Sequence, residues 1–245
     1  MTENSIENKP TALVTGANKG IGYEIAAGLA RLGFRVGIGA RDTGRRDEAV
    51  EKLRAEGLDA FGVPLDVTDD ESVAAAAAQL EELGGLEVLV NNAAITGGMP
   101  QEPTKVSAEQ VLSVVNTNVV GVIRVTNAML PLLRRAASPR IVNVSSTVGS
   151  LTLQTAQAEA LGPISAAYSP TKTYLNAITI QYAKELADTP ILVNTGCPGY
   201  VATDLNGHQG TRTPRQGAAI FLELATLPDD GPSGTFRDDT GIQSW

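Results

Sequence analysis

Apolar positions along the chain alternate between two rhythms. Residues 11–15 (Thr-Ala-Leu-Val-Thr) form a short apolar run that stops at Gly16, the pattern of a buried strand. Ile21, Ile25, Leu29 and Leu32 then recur at helical spacing, and Gly33 stops that helix. The alternation continues: a strand at 34–39, a helix at 47–55 and a strand at 60–65. Thr68 with Glu71 forms a capping-box pattern opening an Ala-rich helix that ends near Gly84-Gly85, and a strand follows at 86–91. Ser107 with Gln110 repeats the pattern and opens a long helix reaching about Pro131 or a little beyond. A strand at 140–144, a long helix at 168–186, a strand at 191–197 and a helix at 217–225 complete the series, and 233–236 supplies a seventh strand.

Strands that alternate with helices predict an α/β fold, a doubly wound parallel sheet of the Rossmann type with about seven strands flanked by helices. The chain has no internal repeat and no linker. Residues 11–245 therefore read as a single domain behind a polar N-terminal tail, residues 1–10. In such sheets ligands bind beyond the carboxyl ends of the strands, so the chemistry is expected just after each strand.

Composition narrows the function. Nineteen basic against 27 acidic residues give a net charge of −8. That balance argues against a nucleic-acid or anionic-membrane surface, and no stretch reaches about 18 consecutive apolar residues. A single Cys and a single His disfavour a disulfide framework, a metal site and Ser-His-Asp chemistry. The tail has no apolar signal-peptide core, so the expected location is cytoplasmic.

The turn after the first strand, residues 15–22, carries Gly16, Gly20 and Gly22 around Asn18, Lys19 and Ile21. Glycines let the backbone approach a pyrophosphate, and the following helix offers N–H groups and a partial positive charge. At the end of the second strand, where an NAD-binding fold places an acid against the ribose, stand Ala40, Arg41 and Asp42. Lys19 faces the same corner, so two cations favour the 2′-phosphate of NADP(H). Asp42 would instead suit NAD if the strand ended one residue later. Tyr168 and Lys172, four apart on a helix, share one face. An adjacent ammonium favours the ionised phenol, and such a Tyr can hand a proton to a carbonyl oxygen. Ser146, just past the fifth strand, either holds a substrate oxygen or caps a loop. His208 reads as a solvated loop residue and Cys197 as a small buried one.

In this order and context the motifs resemble the short-chain dehydrogenase/reductase family, and in particular its carbonyl-reductase-like members. They are residues 15–22, Leu65-Asp-Val67, Asn91-Asn-Ala-Ala94, Asn118-Val-Val-Gly121, Ser145-Ser146, Tyr168-Ser-Pro-Thr-Lys172 and Pro198-Gly-Tyr-Val-Ala-Thr203. The resemblance implies a catalytic set of Asn118, Ser146, Tyr168 and Lys172, with Asn118 anchoring a relay water. It places Asp66 and Val67 beside the adenine, and Asn91 and Ala93 on the adenosine side. It places Pro198, Gly199, Val201 and Thr203 at the nicotinamide, whose ribose Lys172 also binds. Ala94 replaces the family's more frequent Gly. The stretch between Ser146 and Tyr168, including residues 155–159, is longer than usual, and a polar segment follows Thr203 where the family keeps a lid.

The expected activity is NADPH-dependent reduction of a small-molecule ketone or aldehyde, with no metal. An NAD-linked alcohol dehydrogenase and a non-catalytic NADP-binding regulator are the alternatives. Leu151, Leu153, Ile164, Tyr200 and Leu205 suggest an apolar or mixed ketone. Monomer and homo-oligomer are left open.

Overall fold

In a computed structural model of the chain, which describes residues 9–156 and 161–245, eight strands form one sheet. They are β1 (Thr11–Thr15), β2 (Arg35–Ala40), β3 (Ala60–Pro64), β4 (Val88–Asn91), β5 (Arg140–Val144), β6 (Leu192–Gly196), β7 (Phe236–Asp238) and β8 (Gly241–Ile242). Their order is β3-β2-β1-β4-β5-β6-β7-β8. All neighbours are parallel except β8, a short eighth strand that turns back on β7. The seventh strand begins at Phe236, not residue 233. Before it, side chains tie the stretch to β6: Val193 N donates to Ser233 Oγ (3.0 Å) and Thr235 N to Asn194 Oδ1 (2.9 Å).

The helices are α1 (Gly20–Arg31), α2 (Thr43–Ala55), α3 (Asp70–Glu82), α4 (Ala108–Val115), α5 (Gly121–Leu133), α6 (Leu151–Ala156), α7 (Tyr168–Glu185) and α8 (Pro214–Ala225). Period-two alternation sends Ala12 and Val14 to one core and Leu13 to the other. The first core gathers Ile25 and Leu29 of α1, Val50 and Leu53 of α2, and Phe221 of α8. The second gathers Val73 and Leu80 of α3, Met129 of α5 and Tyr182 of α7.

Four predicted helix starts differ in detail, among them α8, which begins at Pro214 behind its Thr213 cap rather than at residue 217. α2 begins at Thr43, not residue 47, because the Asp42 carboxylate caps it. α3 is capped by Asp69, since the Thr68 hydroxyl donates to Asp66 Oδ1 (2.7 Å). Ser107 does cap α4, but the Gln110 amide reaches the carbonyls of Gly97, Gly98 and Pro100 rather than closing a capping box. The long helix is continuous from Ala108 to Leu133, with a π-helical turn, Asn116–Val120, between α4 and α5. By length and composition it could cross a membrane. Here α5 lines the sheet, and Arg124 is tied to Val67 O (2.7 Å) and Asp70.

Chain order reverses between β1 and β4, the switch point beyond whose carboxyl ends doubly wound sheets bind their ligands. The glycine turn after β1 opens onto this edge. So do the loops after β4, β5 and β6, because all four strands are parallel.

Candidate active site

The glycine turn is fixed from below. Thr15 Oγ1 accepts from Asn92 N (2.9 Å) and Ala93 N (3.0 Å). The Asn92 amide donates to the carbonyls of Thr15 (2.8 Å) and Gly16 (3.1 Å). Gly16 has φ +64°, and a Cβ there would stand 2.9 Å from Ala93 Cα. A Cβ on Gly22 would collide with the Asn92 amide and stand 2.6 Å from the Gly16 carbonyl. Only hydrogen fits at these two positions, so α1 starts hard against the loop after β4. Its N-cap, Lys19, makes no side-chain cap, and its first turn holds no acid. Its N-terminal N–H groups and partial positive charge suit an anion.

At the second-strand corner, Ala40 is buried at the end of β2 and Arg41 is exposed. Asp42 is spent on its helix: Oδ1 accepts from Arg45 N at 3.0 Å. Asp66 accepts from Thr68 N (2.9 Å) and Oγ1 (2.7 Å). The Thr68 hydroxyl, and then the cations Arg41 and Arg124, hold its carboxyl below the usual range despite partial burial. Val67 is buried, packed where a Cβ on Gly121 would clash. Lys19, expected to face this corner with Arg41, carries an ion pair to Asp204.

Tyr168 opens α7, and Lys172 lies one turn on, with Nζ 5.4 Å from the phenol ring centroid. The Lys172 side chain is buried, and Nζ donates to Val144 O of β5 (2.7 Å). Burial lowers its pKa to about 8. Burial also pushes the Tyr168 phenol up, with a smaller push from Cys197. The sequence predicts the opposite sign for Tyr168. Desolvation of the phenolate is the largest influence on it. Of the serine pair, Ser145 is buried and donates to Asn176 Oδ1 (2.6 Å). Ser146 is half-buried, and among the described residues its Oγ accepts only a long bond from Val148 N (3.4 Å). Cys197 is buried, as its sequence context implies, and its thiol accepts from Thr147 N (3.3 Å) and Gly199 N (3.4 Å).

Asn118 sits in the π-helical turn with its amide fully engaged. Oδ1 accepts from Ile95 N (2.9 Å), and Nδ2 donates to Ile95 O (2.9 Å) and Thr171 Oγ1 (3.1 Å). The Thr171 hydroxyl donates in turn to Tyr168 O (2.6 Å). The side chain thus joins the loop after β4 to the start of α7. The Asn91 side chain points into the core. It is buried, and its amide donates to Thr126 Oγ1 (3.1 Å) and Asn143 Oδ1 (2.9 Å) inside the core. Its side chain is therefore spent there, while Asn92 and Ala93 face the glycine turn.

Residue spacing gave no sign of Gln101. This buried side chain donates to the carbonyls of Thr96 (2.9 Å) and Gly98 (2.6 Å). Its Oε1 accepts from Ala167 N (3.0 Å), and its carbonyl accepts from Ala166 N (2.9 Å). It clamps the loop after β4 onto the two residues preceding Tyr168. After β6, Pro198 and Gly199 (φ +73°) turn the chain, and Val201 pairs with Arg212. Thr203 touches the glycine turn, its Cγ2 standing 3.4 Å from where a Gly20 Cβ would lie. Of the longer stretch before Tyr168, α6 packs against the Ser146 turn, and residues 157–160 lie outside the described residues.

The short chain dehydrogenase family profile matches residues 10–213. The chain is similar to a carbonyl reductase (NADPH) 1 of Sus scrofa, 36% identical over 279 residues, covering 97% of this chain and 95% of the relative. Among solved structures it resembles salutaridine reductase from Papaver somniferum, with a TM-score of 0.82 and 31% identity, covering 93% of this chain and 99% of that one. An actinorhodin polyketide ketoreductase variant with NADPH gives a TM-score of 0.82 at 30% identity, covering 96% and 97%. Fold, motif order and these likenesses agree: the chain belongs to the short-chain dehydrogenase family.

Proposed function

We propose that the chain reduces ketones or aldehydes with NADPH, with Tyr168 as the proton donor. One observation carries the reading. A buried ammonium lies beside a phenol at the sheet edge where an uncapped, glycine-lined helix start awaits an anion. The dinucleotide fits this chain's donors. The turn of Gly16, Asn18, Lys19, Gly20, Ile21 and Gly22 holds the pyrophosphate, and Lys19 and Arg41 hold the 2′-phosphate. Ala40 supplies no ribose carboxylate, and Asp42 is committed to α2, which favours NADP over NAD. Asp66 and Val67 take the adenine side, with Ala93 and the backbone of Asn91 below. Pro198, Gly199, Val201 and Thr203 frame the nicotinamide, and Lys172 holds its ribose. The relatives, an NADPH carbonyl reductase and a salutaridine reductase by name, support the same chemistry.

The bound reduced nicotinamide supplies the hydride. Ser146, whose hydroxyl makes one long contact among the described residues, donates to the substrate carbonyl oxygen. The Tyr168 phenol is protonated at neutral pH, as an ordinary tyrosine is, and gives its proton to that oxygen as the carbon is reduced. The phenolate left behind is stabilised by the Lys172 ammonium, charged below about pH 8. Asn118 positions Tyr168 through Thr171, and its engaged amide leaves a relay water to its main-chain carbonyl. The exposed apolar side chains of Leu151, Ile164, Tyr200 and Leu205 suit a ketone with an apolar body.

Tyr168→Phe tests this reading. The variant should quench on NADPH binding like the parent, while ketone-dependent NADPH oxidation falls about 100- to 10,000-fold. Unchanged turnover would refute the assignment.

A further inference from the structure

Lys19 and Asp204 lie 185 positions apart in sequence, yet their side chains are paired beside the glycine turn. The pairing is built by the fold. Thr203 rests on Gly20, which delivers the next residue, Asp204, to the Lys19 ammonium. The chain then curls through Gly207 and His208, both at φ +62°. A left-handed backbone is uncommon for a non-glycine residue and is costly. The curl is fixed by His208 N donating to Thr203 O (2.9 Å) and by the Asn206 amide donating to Val201 O (2.9 Å). It brings His208 Nε2 to the other carboxylate oxygen, Asp204 Oδ1, at 2.8 Å. Lys19 and then His208 hold the Asp204 carboxyl ionised.

We infer that Asp204 is an internal competitor for the cofactor's 2′-phosphate and sets how strongly the enzyme prefers NADPH over NADH. The inference rests on the cofactor reading above, in which Lys19 is one of two cations at the 2′-phosphate. The ammonium that must meet a phosphate already meets a carboxylate, and the two anions repel when both crowd one cation. NADPH binding therefore displaces Asp204 from Lys19, whereas NADH, lacking the phosphate, leaves the pair intact. Both partners are half-exposed, so the competition tunes affinity by a small factor.

The test titrates parent and Asp204→Asn with NADPH, NADH and 2′,5′-ADP, following the sole tryptophan's fluorescence, after thermal melting shows the variant folded. Asp204→Asn should tighten NADPH and 2′,5′-ADP by about twofold to fivefold and leave NADH unchanged. In a Lys19→Ala background the gain should vanish. Unchanged or weakened NADPH binding in Asp204→Asn, with Lys19→Ala lowering NADPH affinity, overturns the inference alone. A Lys19→Ala variant with an unaltered NADPH-to-NADH ratio removes the 2′-phosphate assignment, and the inference falls with it.

Discussion

Helices α1 and α2 lie on the same face of the sheet and begin at the same edge, but their first turns are opposites. α2 is closed by Asp42, whose carboxylate accepts from Arg45 N. α3, α4 and α8 are closed likewise by Asp69, Ser107 and Thr213. α1 has no side-chain cap, no acid in its first turn, and glycines where a side chain would collide. α7 stands between these cases. It has no local cap, but Gln101 reaches from the loop after β4 to bond the Ala167 N–H. A helix start left without a partner is unfavourable for folding alone, so the contrast separates starts that serve stability from the one shaped for a ligand.

The largest effect that sharpens this contrast is at α7. Gln101→Leu leaves the Ala167 N–H and the Thr96 and Gly98 carbonyls without their partners. It should lower kcat about 10- to 100-fold by loosening Tyr168, while NADPH affinity changes far less. Steady-state kinetics beside an NADPH titration would show the split, and an equal loss of both would mean that Gln101 serves only the fold.

A smaller effect is expected at α2. Asp42→Ala should cost about 1 kcal/mol of stability in urea unfolding and leave NADPH and NADH affinities unchanged. Weaker NADH binding with unaltered stability would make Asp42 a ribose ligand and erase the distinction from α1.

Local signals were legible in the sequence, and long-range ones were not. The glycine turn, the Tyr168 and Lys172 spacing and the position of Ser146 after β5 are written in adjacent residues, and the structure gathers them at one edge. The start of α2 was misplaced because its sequence has no clear apolar stripe, and because Asp42 suits a cap and a ribose equally well on paper. Asn91 and Asn92 are neighbours with opposite fates: Asn91 ends β4 with its amide in the core, and Asn92 begins the loop after it and bonds the glycine turn. Gln101, the Asn118 amide and the Lys19–Asp204–His208 cluster depend on contacts between distant loops. The phenol's raised pKa depends on burial, which no spacing of Tyr and Lys reveals.

The most direct test of the account is a crystal structure of the chain grown with NADP+. The pyrophosphate should lie on the backbone of residues 16–22, with the nicotinamide ribose within hydrogen-bond reach of Lys172. A dinucleotide bound elsewhere, or turned so that its nicotinamide lies away from Tyr168, would contradict it.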